Sequence, residues 1–434
     1  MRRKSGNIAK NSSWDIVMQI QRRFYLQQLI DGKQNGLIKI VTGIRRCGKS
    51  YLLFKLFRQH LLESGVAESH IIQIALDDIE SQDLREPLSL YRHVKGKMTD
   101  SNQYYILLDE VQLVPRFEEV LNSLLRIDNA DVYVTGSNSK FLSSDIVTEF
   151  RGRGDEIRLY PLSLSEYCEG AGQSPTEAWN DYYTYGGLPH VLSLETEKKK
   201  LDYLSNLFDS VYLIDIIERN HIKNEAEFAE LVHIIASGIG APTNPTKLSN
   251  TFKSVKKVAI NSTTIDRYLG YMEDAFLIEK ADRFDVKGKR YIGSLSKYYF
   301  CDLGLRNAIL GLRQQEETHI MENIIYNELR RRGCKVDVGM VEQRFVDGEG
   351  KWQRKQLEVD FVVNEGNQKY YIQSALALPD KEKRAQEMAS LLKINDSFKK
   401  IIVVKDNINP WRDENGILTM GLVDFLMDIN SLNK

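Results

Sequence analysis

Short apolar runs alternate with amphipathic segments between residues 37 and 160. The runs are rich in Ile, Val and Leu and are bounded by polar residues, which is typical of buried parallel strands. The segments between them have the spacing of helices that cover a sheet. The pattern predicts five strands with four crossovers, at residues 38–42, 71–76, 105–109, 132–135 and 157–159. The predicted fold class is therefore α/β, with a parallel sheet.

Other patterns flank this region. Residues 14–29 are amphipathic and predict a lead-in helix beside the sheet. Residues 161–224 look helical, with a turn at 185–189, and predict a small lid. Three helical and two strand-like patterns follow, as in a winged helix-turn-helix: 227–239, 247–258, 263–274, 276–283 and 290–292. The last region again mixes helices and strands, so the predicted domains are 1–160, 161–224, 225–300 and 301–434.

The first predicted strand runs into a complete phosphate-loop pattern, G-x-x-x-x-G-K-S, and a helical pattern follows it. Glycines let the backbone approach phosphates closely, and backbone N–H groups then point at the anion. Lys49 would reach the β- and γ-phosphates, and the Ser50 hydroxyl would ligate Mg²⁺. The predicted nucleotide-binding residues of the loop are Gly43, Ile44, Arg45, Arg46, Cys47, Gly48, Lys49 and Ser50.

The third predicted strand ends in two carboxylates, Asp109 and Glu110. Ligands of open α/β sheets bind at this carboxyl end of the strands. Asp109 would hold Mg²⁺ directly or through water, and Glu110 would act as the general base that activates the attacking water. The phosphate loop lies upstream of Asp109 and Glu110, and one predicted strand, 71–76, separates the two motifs in sequence. This order predicts a P-loop ATPase of the division that inserts a strand between the two motif strands.

Polar residues after the fourth strand are further candidates. Ser137 and Asn138 would touch the γ-phosphate or its attacking water, and the alternative is a plain helix N-cap. Arg151 and Arg153 follow, and an arginine stabilises charge on a transferred phosphoryl group. Action on a neighbouring chain's phosphate requires a homo-oligomer. The alternative is that both arginines fix the loop by pairing with carboxylates.

A local basic face is predicted in the winged region. Duplex DNA would be contacted through Arg267 on the third helix and through Lys287 and Lys289 in the hairpin. Asp266 and Glu273 dilute the positive charge of that helix, so a winged helix that binds protein, or only packs, is the alternative.

The α/β/α order of residues 301–434 resembles nuclease cores of the PD-(D/E)xK type. Glu322 on a helix and Asp360 on a strand stand where such sites carry acids. Those sites hold Mg²⁺ between two acidic groups and use a lysine to activate water. Here Gln373 replaces the second acid and Ala375 the lysine, so we expect a restriction-endonuclease-like fold without cleavage.

The composition of the chain bears on its partners and its location. The formal net charge is -1, so nucleic acid must be bound by a local patch. No apolar run reaches the roughly 18 residues that span a bilayer, and the basic N-terminus lacks the apolar core of a secretory signal. Four scattered cysteines indicate reduced thiols. We expect a cytoplasmic protein without membrane contact.

The motifs together resemble a prokaryotic family of AAA+ ATPases over nearly the whole chain. The likeness lies in G-I-R-R-x-G-K-S at 43–50, L-L-D-E-V-Q at 107–112 and T-G-S-N-S at 135–139. It continues at 161–167, 186–189, 297–304 and 358–361. The family ends in a domain of unknown function with a restriction-endonuclease-like core. The resemblance implies ATP as the nucleotide, Arg153 in the place of the family's Gly-Arg motif, and a non-catalytic C-terminal domain.

The predicted function is Mg²⁺-dependent ATP hydrolysis coupled to conformational change of the winged-helix and C-terminal domains, on DNA or on a protein partner. Two alternatives stay open. One is a nucleotide-gated DNA nuclease that uses the C-terminal domain, and the other is a scaffold that binds ATP without hydrolysing it.

Overall fold

The computed structural model describes residues 20–136, 152–313, 316–346, 348 and 350–434. The chain divides into two compact units, Met1–Tyr203 and Leu204–Lys434, and each is described by itself. Ser137, Asn138 and Arg151, for which roles were predicted, lie outside the described residues. Residues 14–19 of the expected lead-in helix also lie outside them.

A five-stranded parallel sheet forms the centre of the first unit. Its strands are β1 (Ile38–Thr42), β2 (Ile71–Ala75), β3 (Tyr104–Asp109), β4 (Ala130–Thr135) and β5 (Gly154–Arg158). They are ordered β2-β3-β4-β1-β5, and every neighbouring pair is parallel. β1 and β3 are buried along their whole length, as their apolar sequences predict. β4 lies between β1 and β3, which confirms the inserted strand between the two motif strands.

Helices connect these strands. The α-helices are α1 (Arg23–Asp31), α2 (Lys49–Tyr51), α3 (Arg58–Glu63), α4 (Pro87–Lys97), α5 (Phe117–Leu124), α6 (Leu164–Ala171), α7 (Pro175–Tyr185) and α8 (Glu197–Leu207). The π-helical segment Leu52–Phe57 joins α2 to α3, so one continuous helix follows the phosphate loop. Short 3₁₀ segments occupy Glu68–His70, Ile79–Arg85, Val111–Leu113 and Pro189–Ser193.

The second unit is built on an eight-stranded sheet, ordered β12-β13-β11-β10-β9-β8-β6-β7. Its strands are β6 (Ile278–Asp285), β7 (Arg290–Phe300), β8 (Lys335–Val346), β9 (Trp352–Glu365), β10 (Gln368–Ala375), β11 (Lys399–Val404), β12 (Trp411–Arg412) and β13 (Leu418–Gly421). Its α-helices are α9 (Ile214–Arg219), α10 (Glu225–Ser237), α11 (Pro245–Thr251), α12 (Ser262–Asp274), α13 (Leu303–Ile309), α14 (Glu317–Arg331), α15 (Lys381–Leu392) and α16 (Leu422–Met427). The segments Phe208–Leu213 and Phe252–Lys256 are π-helical, and Ser431–Asn433 is 3₁₀.

The β6–β7 hairpin, expected as the wing of a separate domain, belongs to this sheet. β6 pairs in parallel with β8, with Arg283 opposite Val338 and Asp285 opposite Met340. An unpaired strand edge exposes backbone N–H and C=O groups, and β8 satisfies those of β6. The boundary expected at residue 300 therefore falls within one sheet rather than between two domains.

Three helices precede the hairpin in the predicted order. Asn244 caps α11 by accepting a hydrogen bond from the Lys247 N–H, and Asn261 caps α12 in the same way from Thr264, both at 2.7 Å. A backbone bridge joins Thr243, just before α11, to Ser296 of β7 through two bonds of 2.9 Å. Helices α11 and α12 are thus tied to the hairpin.

The α/β/α order predicted after residue 300 is observed as α14, β8, β9, β10, α15 and β11. The first three strands form an antiparallel meander, and β11 pairs with β10 in parallel. No helix in the described part of the chain is long and apolar enough to cross a membrane.

Candidate nucleotide-binding site

The phosphate loop lies between the end of β1 and the start of α2, and two of its glycines are required by its backbone. Gly43 has φ +139°, and a Cβ on it would lie 2.1 Å from the carbonyl oxygen of Leu159. Gly48 precedes α2 with φ +101°. An L side chain is strained in either conformation, so glycine lets the backbone turn tightly at the head of the helix.

Lys49 is buried in the loop to which it belongs, with 5% of its surface exposed. Its ammonium donates to the carbonyl oxygen of Gly43 at 3.0 Å and to that of Ile44 at 3.2 Å. An ammonium has three N–H donors. These two bonds hold the charge inside the loop and leave a third donor for a phosphate oxygen.

Ser50 and Asp109, the two predicted Mg²⁺ ligands, are in contact. The Ser50 side chain is hydrogen-bonded to the Asp109 carboxylate, which also accepts a bond from Thr135 Oγ1. Burial raises the pKa of Asp109, and these two hydrogen bonds partly oppose the rise. Mg²⁺ prefers oxygen ligands and is commonly held by one or two protein groups beside phosphate and water. A hydroxyl next to a carboxylate is a donor set that fits this ion.

Glu110 is held immediately beside Asp109. Its backbone N–H donates to Thr135 Oγ1 at 3.0 Å, and Gln112 Nε2 donates to its carboxylate. Thr135 therefore links the main chain of Glu110 to the Asp109 carboxylate, because its hydroxyl accepts from the Glu110 backbone N–H and donates to Asp109. Sequence reasoning missed this residue. Its signal was a polar side chain at the carboxyl end of the strand beside β3.

Residues from the expected lid lie against the phosphate loop. Pro189 Cγ is 3.9 Å from where a Cβ of Gly48 would stand. Burial lowers the pKa of His190, and the nearby charge of Arg46 lowers it further. The turn at 185–189 is itself fixed, since the Leu162 N–H donates to the Gly187 carbonyl at 2.7 Å. The segment 186–193 is thus in a position to respond to changes in the loop.

Cys47, also within the loop, is fully buried and packs its sulfur 3.6 Å from the Leu159 carbonyl. Burial raises the pKa of its thiol, so the neutral form is favoured. The side chain packs the loop against the residue that follows β5.

The structure does not bring Arg153 to the phosphate loop or to Ser50 and Asp109. Its carbonyl accepts from the Ile38 N–H at 2.8 Å, and its guanidinium donates to Asn122 at 3.4 Å. β1 and β5 run parallel from Ile38 and Gly154, so Arg153 lies at the amino end of β1, opposite the loop. At about 3.3 Å per residue, the length of β1 separates Arg153 from the phosphate loop by roughly 15 Å. Within its own chain Arg153 therefore does not reach the site, and action on a neighbouring chain stays a prediction.

A second cluster surrounds Glu322 and Asp360 in the second unit. Lys297 of β7, only 3% exposed, lies 2.8 Å from Glu322 Oε1 and 2.7 Å from Glu358 Oε1. Asp360 accepts from the Ser374 N–H at 2.8 Å. Position 375 lacks the lysine of nuclease cores, and Lys297 supplies a cation from another strand, which its sequence position does not reveal.

Charge in this cluster is balanced by the lysine. Burial, together with the charge of Glu322, raises the pKa of Asp360 to about 8. Burial alone would lower the pKa of Lys297, but the carboxylates of Glu322, Asp360 and Glu358 raise it. Across the described ranges, no trio of His, Cys, Asp or Glu side chains is grouped to hold a metal ion. The acids of this cluster are instead paired with an internal ammonium.

A Gly43→Ala change tests the tight turn of the loop. We expect nucleotide affinity to fall at least about 10-fold, because a Cβ meets the Leu159 carbonyl and the φ angle costs about 1–3 kcal/mol. Gly96→Ala is the matched control, since no heavy atom lies within 4 Å of a Cβ there and α4 gains helix propensity. Equal nucleotide binding by both variants would contradict the geometry of the loop.

The fold and this site define a P-loop protein with an AAA domain. Residues 35–168 match the family model of the AAA domain, and residues 176–316 match a domain of unknown function, DUF8612. An uncharacterized protein of Haemophilus influenzae is 33% identical over 414 residues, which are 94% of this chain and 98% of that protein. The chain therefore belongs to the same family as that protein.

Other relatives are more distant. The uncharacterized protein MJ1544 of Methanocaldococcus jannaschii is 29% identical over 392 residues, 85% of this chain and 82% of that protein. The structure of the Aeropyrum pernix Orc1 protein in complex with DNA has 13% identity and a TM-score of 0.29, over 69% of this chain and 96% of its own. AMPPCP-bound DnaA from Aquifex aeolicus has 16% identity and a TM-score of 0.26, over 57% of this chain and 85% of its own. At such scores these two likenesses carry no argument about this chain.

Proposed function

We propose that the chain binds ATP with Mg²⁺ at the phosphate loop and hydrolyses it. The observation that carries the proposal is the contact of Ser50 with Asp109, with Glu110 joined to Asp109 through Thr135. The start of α2 and the carboxyl ends of β3 and β4 bring these residues together. This supports a site for phosphoryl transfer to water, which depends on a metal and a water-orienting residue beside the phosphate loop. The match of residues 35–168 to the AAA domain supports the same class of chemistry.

Each residue has a defined part in this proposal. The loop backbone and the Lys49 ammonium bind the phosphates, and Ser50 and Asp109 hold Mg²⁺, which neutralises charge on the phosphate oxygens. The Glu110 carboxylate, oriented by Gln112, accepts a proton from water. The water oxygen bonds to the γ-phosphorus as the bond to the β,γ-bridging oxygen breaks, giving ADP and phosphate.

Hydrolysis would be coupled to movement through the segment 186–193. That segment packs on the loop at Gly48 and lies within the electrostatic reach of Arg46, so loss of the γ-phosphate changes its surroundings. The chain continues from it into α8, which runs across the division at residue 203. We propose that α8 is the covalent route by which the state of the nucleotide reaches the second unit.

Duplex DNA contact by the winged region is a second candidate. The helix α12 presents an exposed Arg267, which lines a depression of about 360 Å³ with Lys223 and His221. Lys287 and Lys289 are exposed at the hairpin turn. The bridge between Thr243 and Ser296, which ties the helices to the hairpin, supports a winged-helix arrangement for α10–α12 and β6–β7. Cleavage of DNA is not proposed, since Lys297 pairs with the acids of the second cluster.

Binding of ATP to a Lys49→Ala variant tests the proposed function, with titration calorimetry as the readout. We expect affinity to fall at least about 10-fold, because charge-assisted hydrogen bonds to phosphate contribute about 1.5–3 kcal/mol. Lys55→Ala is the control, since Lys55 is exposed on the same continuous helix. If both variants bound ATP as the wild type does, the nucleotide would not lie in this loop.

A further inference from the structure

A continuous groove runs along two neighbouring hairpins of the second unit, β6–β7 and β8–β9. Three depressions of about 330, 540 and 420 Å³ adjoin one another. Asp285 and Glu342 line both the first and the second, and Arg344 lines both the second and the third. The Lys287 ammonium on one hairpin donates to the Glu342 carbonyl on the other at 3.2 Å, which joins the two walls. We call this surface the two-hairpin groove.

The two-hairpin groove is basic although the chain as a whole has a formal net charge of -1. Among the described residues that line the groove, the carboxylates of Asp285 and Glu342 face five cations. Those cations are Lys287, Arg290, Arg344, Arg354 and Lys393. A local excess of positive charge of this kind attracts a polyanion, and phosphate backbones are the commonest such partner.

The acids do not neutralise the cations that line the groove. Glu342 Oε1 lies 2.9 Å from Arg344 Nε and 3.9 Å from Arg354 Nε, so one carboxylate is shared by two guanidinium groups. Arg290 lies 3.7 Å from Asp285 and remains 79% exposed at its side chain. The guanidinium groups keep charge and N–H donors directed towards solvent, where they would meet phosphate oxygens.

An aromatic ring lies among these cations. Trp352 is 75% exposed. In the β8–β9 register Val346 is opposite Trp352, and Arg344 is opposite Arg354 two residues further, so the indole and both arginines share one face. Nucleobases stack on exposed aromatic rings in single-strand binding proteins, and neighbouring arginines add cation–π and phosphate contacts.

Tyr291 does not belong to this stacking face, although it lines the first depression. In the registers of β6, β7 and β8 it lies opposite Phe284, which lies opposite Gly339, whereas Arg344 alternates in phase with Met340. Its ring meets Phe284 edge-on at 5.5 Å between centroids, and the Lys335 ammonium lies 5.1 Å from its centroid. The ring on which we expect a base to stack is therefore that of Trp352.

We propose that the two-hairpin groove binds single-stranded nucleic acid, with Arg344 and Arg354 on its phosphates and a base stacked on Trp352. A single strand is favoured over a duplex because bases already paired and stacked do not offer a face to an indole ring. The proposal goes beyond ATP hydrolysis and does not depend on it, since every residue involved lies in the second unit.

Binding of a labelled oligothymidylate to the full chain, followed by fluorescence anisotropy without nucleotide, tests the proposal. We expect Trp352→Ala to weaken binding roughly 5- to 100-fold, the range given by loss of one base stack. The matched control is Trp411→Ala, because Trp411 is 39% exposed on β12, at the other edge of the same sheet. That change should leave affinity unaltered.

A second variant, with its own control, tests the proposed phosphate contacts. Arg354→Ala should lower the slope of log affinity against log salt by about 0.7, the value for one phosphate contact on a single strand. Arg412→Ala, the neighbour of Trp411 on β12, should leave the slope unchanged. Circular dichroism and unaltered basal ATP turnover would show that the variants are folded.

Three results would overturn the groove assignment. They are no oligothymidylate binding at low salt, equal losses for Trp352→Ala and Trp411→Ala, and duplex binding as tight as single-strand binding with the same dependence on Trp352. Failure of ATP turnover in the wild type would contradict the proposed function instead, because the binding experiment contains no nucleotide.

Discussion

Replacement of Glu110 by glutamine is expected to lower ATP turnover by at least about 100-fold, the usual range for loss of a general base. ATP affinity should stay close to that of the wild type. The amide keeps the shape of the side chain but does not accept the proton of the attacking water. The phosphate-binding groups, Lys49 and Ser50, are unchanged, and the backbone bond from residue 110 to Thr135 remains. Phosphate release and calorimetric ATP binding, measured on the same preparation, separate the two effects.

Glu119→Gln is the matched control for this change. Glu119 lies in the first turn of α5, pairs with Arg116 at 3.6 Å and is 67% exposed at its side chain. ATP turnover by the Glu119→Gln variant should equal that of the wild type. Normal turnover by Glu110→Gln would remove Glu110 as the base, whereas loss of ATP binding would assign it a role in holding the nucleotide.

The second large effect concerns stability. Lys297→Met should lower the free energy of unfolding of the second unit by about 3–5 kcal/mol, the loss seen when one partner of a buried ion pair is removed. Methionine fills the space of the lysine stem but leaves Glu322 with its negative charge uncompensated, next to Asp360 and Glu358. Hydrogen exchange of β7, β9 and α14 measures the effect within that unit.

Lys280→Met is the control, since Lys280 is 40% exposed at its side chain and pairs with Asp282 at 3.0 Å. Lys280→Met should lower the free energy of unfolding by no more than about 1 kcal/mol, as for exposed ion pairs. Adding Glu322→Gln to Lys297→Met should recover part of the loss, because it removes the uncompensated charge. If the two lysine variants had equal stability, the buried cluster would not hold the hairpin to the rest of the unit.

The candidate nucleotide-binding residues could be predicted from sequence where their pattern is continuous. The phosphate loop and the Asp109–Glu110 pair are runs of adjacent residues at the ends of buried strands, so spacing indicates both identity and place. Thr135 and Lys297 could not be found in that way. Each reaches its partners from a strand distant in sequence, and only the sheet order brings them together.

Element ends were less predictable. The fifth strand was predicted to begin at residue 157, with Arg153 in the segment before it. β5 begins at Gly154, and that start places Arg153 at the amino edge of the sheet. Similarly, Gly293 and Ser294 interrupt the strand pattern after Ile292, but β7 continues to Phe300. Residues 293–295 have no partner in the β6–β7 register, which shifts between Asp282 and Arg283. The interruption in the pattern therefore marks an irregularity within one long strand rather than its end.

Multiple-turnover release of phosphate from ATP by the purified full chain tests the central claim most directly. The account predicts steady release with Mg²⁺, no release above the blank with excess chelator, and none from the Lys49→Ala variant. ATP bound at the loop with no phosphate released over many hours, in the presence of Mg²⁺, would contradict it and leave a nucleotide-binding scaffold.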